Sequence, residues 1–296
     1  MTNPSLRMLK AARDLHHERL SSLPNVRGTM LGRKMTAGKS TPDTCLIVVV
    51  GTKVQRAKLS KSDRIPASVR LDGKQIPTDV LPLGRFLPQS LDTIRFCSDG
   101  RTRATVTAFA RSIAGPVGVT CAHALAGPDR AGATSDPIGL WSPERSDYVT
   151  AGRSGPSVWH AGLGVASDFG FADVGLFTLD STDLKQMANQ LPPMRIVVAP
   201  RDGMVVFADT GHGRISGEIH AVQAILGTMR CDVVVRADPP GTFEGDSGAV
   251  WRTAQGSAAA IHALGSPAAP GQGSTFSAAM LVSRAARLLN VEFLEG

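Results

Sequence analysis

Three short segments of the 296-residue chain hold residue types that can do nucleophilic chemistry. The first is Gly245-Asp246-Ser247-Gly248, followed at once by the apolar Ala249-Val250. A serine hydroxyl is a weak nucleophile, so it needs a base, an exposed turn and nearby donors for the oxyanion. Glycines on both sides let the backbone turn tightly around Ser247. The second is Val117-Gly118-Val119-Thr120-Cys121-Ala122-His123-Ala124-Leu125, an apolar strand running into a histidine among small residues. Small neighbours let an imidazole approach a serine. The third is Phe171-Ala172-Asp173-Val174-Gly175-Leu176-Phe177, in which a carboxylate at a strand start can reach the far ring nitrogen of that histidine. There it would fix the tautomer and stabilise the imidazolium. Each segment alone has a plainer reading: a surface turn, a buried core histidine donating to a backbone carbonyl, and a turn aspartate. Their joint occurrence in the order His123, Asp173, Ser247, 50 and then 74 positions apart, points to a triad.

That order and those segments resemble the chymotrypsin/trypsin-like serine proteases. Thr120-Cys121-Ala122-His123 is similar to their Thr-Ala-Ala-His, with Cys121 in place of the first alanine, and Asp173-Val174-Gly175-Leu176 to their Asp-Ile-Ala-Leu. The resemblance covers about residues 92–290. It implies a serine endopeptidase that cleaves a protein substrate through an acyl-enzyme, with His123, Asp173 and Ser247 catalytic and the N–H groups of Gly245 and Ser247 as oxyanion hole. It implies no cofactor and no metal. Ala208 to Ile219 looks like the glycine-spaced hairpin that bacterial trypsin-like domains place before the nucleophile, and Ala260 to Ser266 like the strand lining the primary pocket. The pocket residues so implied are Gly241, Thr242, Ala263 and Gly265. Gly241 stands where an aspartate would select Lys or Arg, so a small or apolar residue is expected at the cleavage position, with Asp238 or Glu244 as nearby sources of charge. No Ile-Val-Gly-Gly start precedes the domain, so a freed N-terminus pairing with Asp246 is not expected. Two other readings use the same residues: a scaffold or adaptor that kept the fold and lost the activity, and an esterase with the same triad. Peptides are favoured over esters only by analogy of fold.

The elements that must position these residues read as short strands. From about residue 94, apolar runs punctuated by Gly and Pro recur at 104–110, 118–120, 174–179, 195–199, 204–207, 215–225, 231–237, 249–252, 258–263 and 275–280, and a helix over 281–289 closes the chain. With 31 glycines and 5% aromatics, this predicts a mostly β chain. The expected architecture is a chymotrypsin-like double β-barrel with a small N-terminal α/β extension and a C-terminal helix. Residues 1–90 form that extension and residues 91–296 the protease domain. Within the extension an amphipathic helix is predicted over 4–23, with Leu6, Leu9, Ala12, Leu15, Leu20 and Leu23 near one stripe and Pro24 ending it. The run Leu46-Ile47-Val48-Val49-Val50 reads as a fully buried strand. Val26-Arg27-Gly28-Thr29, Asp63-Arg64-Ile65-Pro66 and Ile76 to Val80 resemble the leader of bacterial intracellular trypsin-like proteins and of the plant narrow-leaf type.

Charge is distributed unevenly. Residues 1–90 carry 16 Lys/Arg against 6 Asp/Glu, a balance of +10, and the other 206 carry 16 against 19, a balance of −3, which together make the net +7. A solvated basic face is the ordinary reading of such a segment; nucleic acid is not expected as a partner. The leader is expected to serve a homo-oligomer or a regulatory partner, with Leu6, Leu9, Leu15 and Leu20 free for a subunit contact. No apolar stretch is long enough to span a membrane and no secretory signal opens the chain. Cys45, Cys97, Cys121 and Cys231 lie far apart, with no C-x-x-C pair, and are expected reduced and buried. A cytoplasmic setting in bacterial defence or signalling follows as the expectation. His16 and His17 point apart on their helix and are read as solvated, and His160, His212, His220 and His262 as structural.

Overall fold

The computed structural model describes residues 3–37, 39–83, 87–88, 104–126, 136–142, 147–160, 170–266, 269 and 271–295. The N-terminal third contains α1 (Leu6–Ser21), β1 (Val26–Thr36), β2 (Lys39–Val50), β3 (Ser68–Leu71), β4 (Lys74–Pro82) and β5 (Leu87–Pro88). A middle group follows: β6 (Ala108–Ser112), β7 (Gly115–Thr120), α2 (Ala122–Ala126), β8 (Pro137–Ser142), β9 (Asp147–His160), β10 (Ala172–Thr178) and α3 (Thr182–Gln190). The last group is β11 (Val205–Thr210), β12 (Gly213–Leu226), β13 (Met229–Ala237), β14 (Val250–Thr253), β15 (Ala258–Gly265), β16 (Phe276–Leu281), α4 (Val282–Leu289) and β17 (Glu292–Phe293).

The chain is mostly β, as expected, and among the described residues its strands form two sheets. One is six-stranded in the order β17-β6-β7-β10-β9-β8. In the other, β11, β14, β15, β16, β13 and β12 follow one another and β11 also pairs with β12, so these six strands close on themselves. Closure leaves no open edge where the six strands pair with one another, while parts of β12 and β15 extend beyond that stretch and take further strands, β1 and β5. The same sheet continues outward from β12 through β1, β2, β4 and β3. This is possible because β11 uses the first half of β12 (Val205↔Glu218 to Thr210↔Gly213), whereas β1 uses the second half (Gly28↔Leu226 to Gly32↔Ala221). The division expected at residues 90 and 91 lies outside the described residues.

The strand over Leu46–Val50 is covered, as its uninterrupted apolar run requires. Met30, Ile47 and Val49 share one core cluster with Val119, Val174, Val234 and Ile261, which ties β1 and β2 to both sheets. The amphipathic helix is present as α1, capped by Ser5, whose hydroxyl accepts from the Met8 N–H at 3.3 Å. Its stripe is not a free surface. Leu9, Ala12 and Leu20 are buried against Leu31, Leu46, Val48 and Val222, leaving only Leu6 and Leu15 of the stripe exposed. The histidines of α1 are likewise engaged: His17 Nδ1 lies 2.9 Å from Thr29 Oγ1 and His16 Nε2 2.8 Å from the Arg70 carbonyl.

Beyond residue 94, α2, β8, β9, α3 and β17 escaped the sequence pattern. β9 contains Gly152, Gly155 and Pro156, which break the alternation a strand would show, yet it pairs with both β8 and β10. α3 begins at a Ser181 cap after strand-like sequence. Conversely, residues 195–199 form no strand; Ile196 makes a single bridge to Ala258 in a segment flanked by Pro193 and Pro200. None of the described helices is long and apolar enough to cross a membrane.

Candidate functional site

β7 runs directly into α2, and His123 is the second residue of that short helix. Asp173 is the second residue of β10, which pairs with β7 (Gly175↔Thr120, Leu176↔Val119). Sheet register therefore brings the carboxylate to the histidine. Its Oδ2 lies 2.5 Å from His123 Nδ1, and its Oδ1 accepts the His123 backbone N–H at 3.0 Å. With both oxygens engaged by one residue, carboxylate and ring are fixed relative to each other. The far ring nitrogen, Nε2, lies 3.1 Å from Ser247 Oγ. That hydroxyl also lies 3.0 Å from the Ala263 carbonyl on β15. His123, Asp173 and Ser247 are 2%, 1% and 0% exposed.

The turn around Ser247 owes its shape to two glycines. Gly245 and Gly248 have φ of +97° and +99°, and a Cβ on Gly248 would sit 1.9 Å from the Thr105 carbonyl oxygen. Thr105 crosses this turn: its N–H donates to the Ser247 carbonyl at 2.7 Å and its hydroxyl to the Gly245 carbonyl at 3.1 Å. Among the described residues, neither the Gly245 nor the Ser247 N–H has an acceptor within the chain. Between them Asp246, fully buried, accepts the Phe243 N–H at 2.8 Å and meets His212 Nδ1 at 2.9 Å. His212 stands at the β11–β12 turn with its ring 5.1 Å from Phe243. Asp246, next to Ser247, thus has a histidine partner rather than a chain terminus.

Other groups fix the site from outside, and the sequence offered little sign of them. Trp159 on β9 stands edge-on to His123 at 5.9 Å. Arg284 on α4 pairs with Asp232 at 2.6 Å, both buried, and also donates to the Phe171 carbonyl, two residues before Asp173. The signal for Thr105 and His212 is contact across more than 30 positions, which no local motif encodes.

The four residues expected to wall a primary pocket fall on two facing segments. Thr242 exchanges backbone hydrogen bonds with Ser274 (3.0 and 2.6 Å), and the Ser274 hydroxyl donates to the Ser266 carbonyl at 2.6 Å. Gly241 and Thr242 are thereby joined to the β15 end that holds Ala263 and Gly265. A Cβ on Gly241 would lie 2.6 Å from the Ser274 oxygen, so the glycine is required there. Asp238 and Glu244 are exposed and supply no buried charge. A cavity of about 340 Å³ touches Gly241 and is otherwise lined by residues such as Pro239, Phe243 and Gly273. A larger one, about 760 Å³, lies between β4 and the segment 50–67 and touches none of the three site residues.

Cys121, His123 and Asp173 present ligand atoms within 4.8 Å of one another, a spacing that would also suit a metal ion. The state of the Cys121 thiol argues otherwise. Burial, then the nearby Asp173 charge, pushes the Cys121 thiol well up, and the thiol donates to the His262 carbonyl at 3.4 Å. A neutral thiol is a poor ligand, and Asp173 is already committed to His123. His262, fully buried, has its pKa pushed down to about 3, by desolvation first and the neighbouring His123 second. Its Nδ1 lies 2.6 Å from Ser277 Oγ. Cys45, Cys121 and Cys231 are buried and free, and Cys97 lies outside the described residues.

No protein-family model matches the chain, and no curated protein matches it by sequence. Solved structures do resemble it. Protease A of Thermobifida fusca is 14% identical, with 65% of this chain and 92% of that one covered at a TM-score of 0.43. The chymotrypsin of Cellulomonas bogoriensis is 14% identical over 67% and 93%, at 0.44. A glutamic-acid-specific serine protease that uses a histidine triad in substrate binding is 15% identical over 66% and 94%, at 0.42.

Proposed function

We propose that the protein is a serine endopeptidase working by acyl transfer, with His123, Asp173 and Ser247 as its catalytic triad. The observation that carries the reading is the unbroken relay Asp173 Oδ2–His123 Nδ1 and His123 Nε2–Ser247 Oγ at 2.5 and 3.1 Å. Asp173 holds the proton on Nδ1, so Nε2 presents its lone pair to the hydroxyl. As Ser247 Oγ attacks a carbonyl, Nε2 takes the hydroxyl proton and later returns it to the leaving amine. Water then resolves the ester by the same route. The N–H groups of Gly245 and Ser247, without acceptors of their own, are the donors for the oxyanion. Gly241, Thr242, Ala263 and Gly265 wall a primary pocket for a small or apolar residue, supported by the lack of a buried charge at Asp238 and Glu244.

The wider setting belongs to the same proposal. Residues 1–90 act as a basic regulatory or assembly unit on a protease body formed by residues 91–296, inside the cell, in bacterial defence or signalling. Its support is the +10 balance of that segment and the three buried free cysteines. Neither cofactor nor metal is required. The test is labelling of purified protein with a fluorophosphonate, followed by peptide mapping. Adduct on Ser247, absent from Ser247→Ala and unaffected by a chelator, is the expected result; adduct elsewhere, or none, overturns the reading.

A further inference from the structure

The cavity of about 760 Å³ between β4 and the segment 50–67 falls within the range of roughly 300–1,000 Å³ typical of small-molecule sites. Lys34 of β1 also lines it. Both of its walls are held in place by hydrogen bonds. Asn25, at φ +65°, donates its side-chain amide to the Thr52 carbonyl at 2.6 Å and accepts the Thr52 N–H at 3.3 Å. Toward the other end, the Thr78 hydroxyl donates to the Pro66 carbonyl and Arg64 Nε to the Leu59 carbonyl at 3.1 Å. The hollow is therefore built into the chain before anything enters it.

Its lining combines two kinds of chemistry. Val54, Leu59, Ile65 and Val80 are apolar, and Val54 is left 42% exposed. With them stand four cations, Lys34, Lys53, Arg56 and Arg64, and two carboxylates, Asp63 and Asp79. Among the described residues none of these six charged groups is in a salt bridge. Asp79 is already spent on the backbone: its Oδ2 accepts the Met35 N–H at 2.6 Å and its Oδ1 the Val80 N–H at 2.8 Å. The lining thus keeps an excess of positive charge beside apolar side chains, which is complementary to an anion that carries an apolar body.

The adjoining strand edge narrows the choice of anion. β3 pairs with β4 only as far as Pro77, so Thr78 to Pro82 have no strand on that side among the described residues. A peptide added there as a strand would need N–H donors from β4, and those facing one edge come from alternate residues. All are spent or missing. The Thr78 N–H goes to the Ala67 carbonyl at 3.0 Å, the Val80 N–H goes to Asp79, and Pro82 has none. A peptide backbone finds no donor along this edge, and a compact molecule needs none from it. We propose that the cavity binds a small amphipathic anion of the medium-chain carboxylate kind, its apolar body against Val54, Leu59, Ile65 and Val80 and its charge among the four cations. The site is separate from the candidate triad and does not depend on the acyl-transfer reading.

Isothermal titration calorimetry on the full chain tests this with three probes that share one apolar chain: decanoate, decanol and decyltrimethylammonium. Decanoate should bind at a single site, about tenfold or more tighter than decanol, with the cationic probe weakest. Added salt should weaken decanoate and leave decanol unchanged, because the cations stand near solvent. Lys53→Ala combined with Arg56→Ala should weaken decanoate by about tenfold without affecting decanol. Val54→Asp sets a like charge at an exposed lining position, where it does not disturb the core, and should weaken decanoate at least as much; circular dichroism confirms that each variant is folded. Equal affinity for the three probes would show an apolar patch with no anion recognition and overturn the proposal. So would decanoate binding that both variants leave intact, or no binding of decanoate at all. Tetraglutamate binding in place of decanoate would overturn it in favour of an acidic peptide.

Discussion

At the scale of single residues, the site rests on a few contacts whose removal has distinct signatures. Ser247→Ala and His123→Ala should each lower turnover by about 10⁴-fold or more, and the double variant little further, because triad members act as a unit; steady-state kinetics on a peptide substrate reads this. His212 differs, since it touches Asp246 rather than the reacting atoms. Removing it leaves a buried carboxylate with only the Phe243 N–H as partner. His212→Ala should therefore loosen the nucleophile turn and lower kcat by roughly ten- to a hundredfold, the worth of a hydrogen bond to a charged group. His212→Asn keeps a donor near the place of Nδ1 and should recover most of the loss, whereas His212→Gln should not. Equal losses in Asn and Ala would show that the ring, packed on Phe243, matters rather than its N–H. The three residues of the candidate triad could be picked out of the sequence because each lies in a compact local motif. His212 was read as structural because its partner is 34 positions away.

At the scale of elements, α1 and β1 belong to the fold and not to a detachable tail. Leu20 is fully buried, and Arg13 donates from α1 to the Gln223 carbonyl of β12 at 2.6 Å. Leu20→Ala should cost about 2–5 kcal/mol in urea unfolding, the range for a buried leucine leaving a cavity. A cost under about 1 kcal/mol would mean that α1 docks loosely. Deleting residues 1–90 strips β1 from the second half of β12 and opens an apolar strand edge, so the remaining fragment should aggregate; light scattering decides it. The helix pattern correctly placed α1, but amphipathicity says only that one face is apolar. Which surface covers it is set by β1, β2 and β12, which come together through pairings across some 190 positions.

For the whole molecule, acid is the condition that should unmake the fold first. His220 on β12 is 1% exposed with no partner for either ring nitrogen among the described residues, and its pKa is pushed down to about 4, by burial first and then by Arg236. His262 is pushed down to about 3. Both bind protons more readily when unfolded, near the ordinary histidine value of about 6.5. Protonation therefore favours unfolding. Stability should be complete above about pH 6.5 and fall steadily as pH drops toward 4 and then 3, by a few kcal/mol in all. Thermal melts across that range read the effect, and His220→Leu, which removes one site, should shallow the slope between pH 6.5 and 4. An unchanged slope would remove His220 from the account.

Sequence alone determined the mostly β class, the run that had to be a buried strand, and the three residues of the candidate triad. Each is encoded over a few neighbouring positions, by alternation, by apolar continuity or by small residues around a polar one. What only the tertiary structure decided is which distant segments meet: Thr105 over the nucleophile turn, Arg284 behind Asp173, His212 on Asp246, and Leu87–Pro88 along β15. Their residue types are unremarkable in isolation. A threonine, an arginine or a histidine meets its partner only through the strand register that sets the two side by side, and register is a property of the closed sheet rather than of any short window of chain.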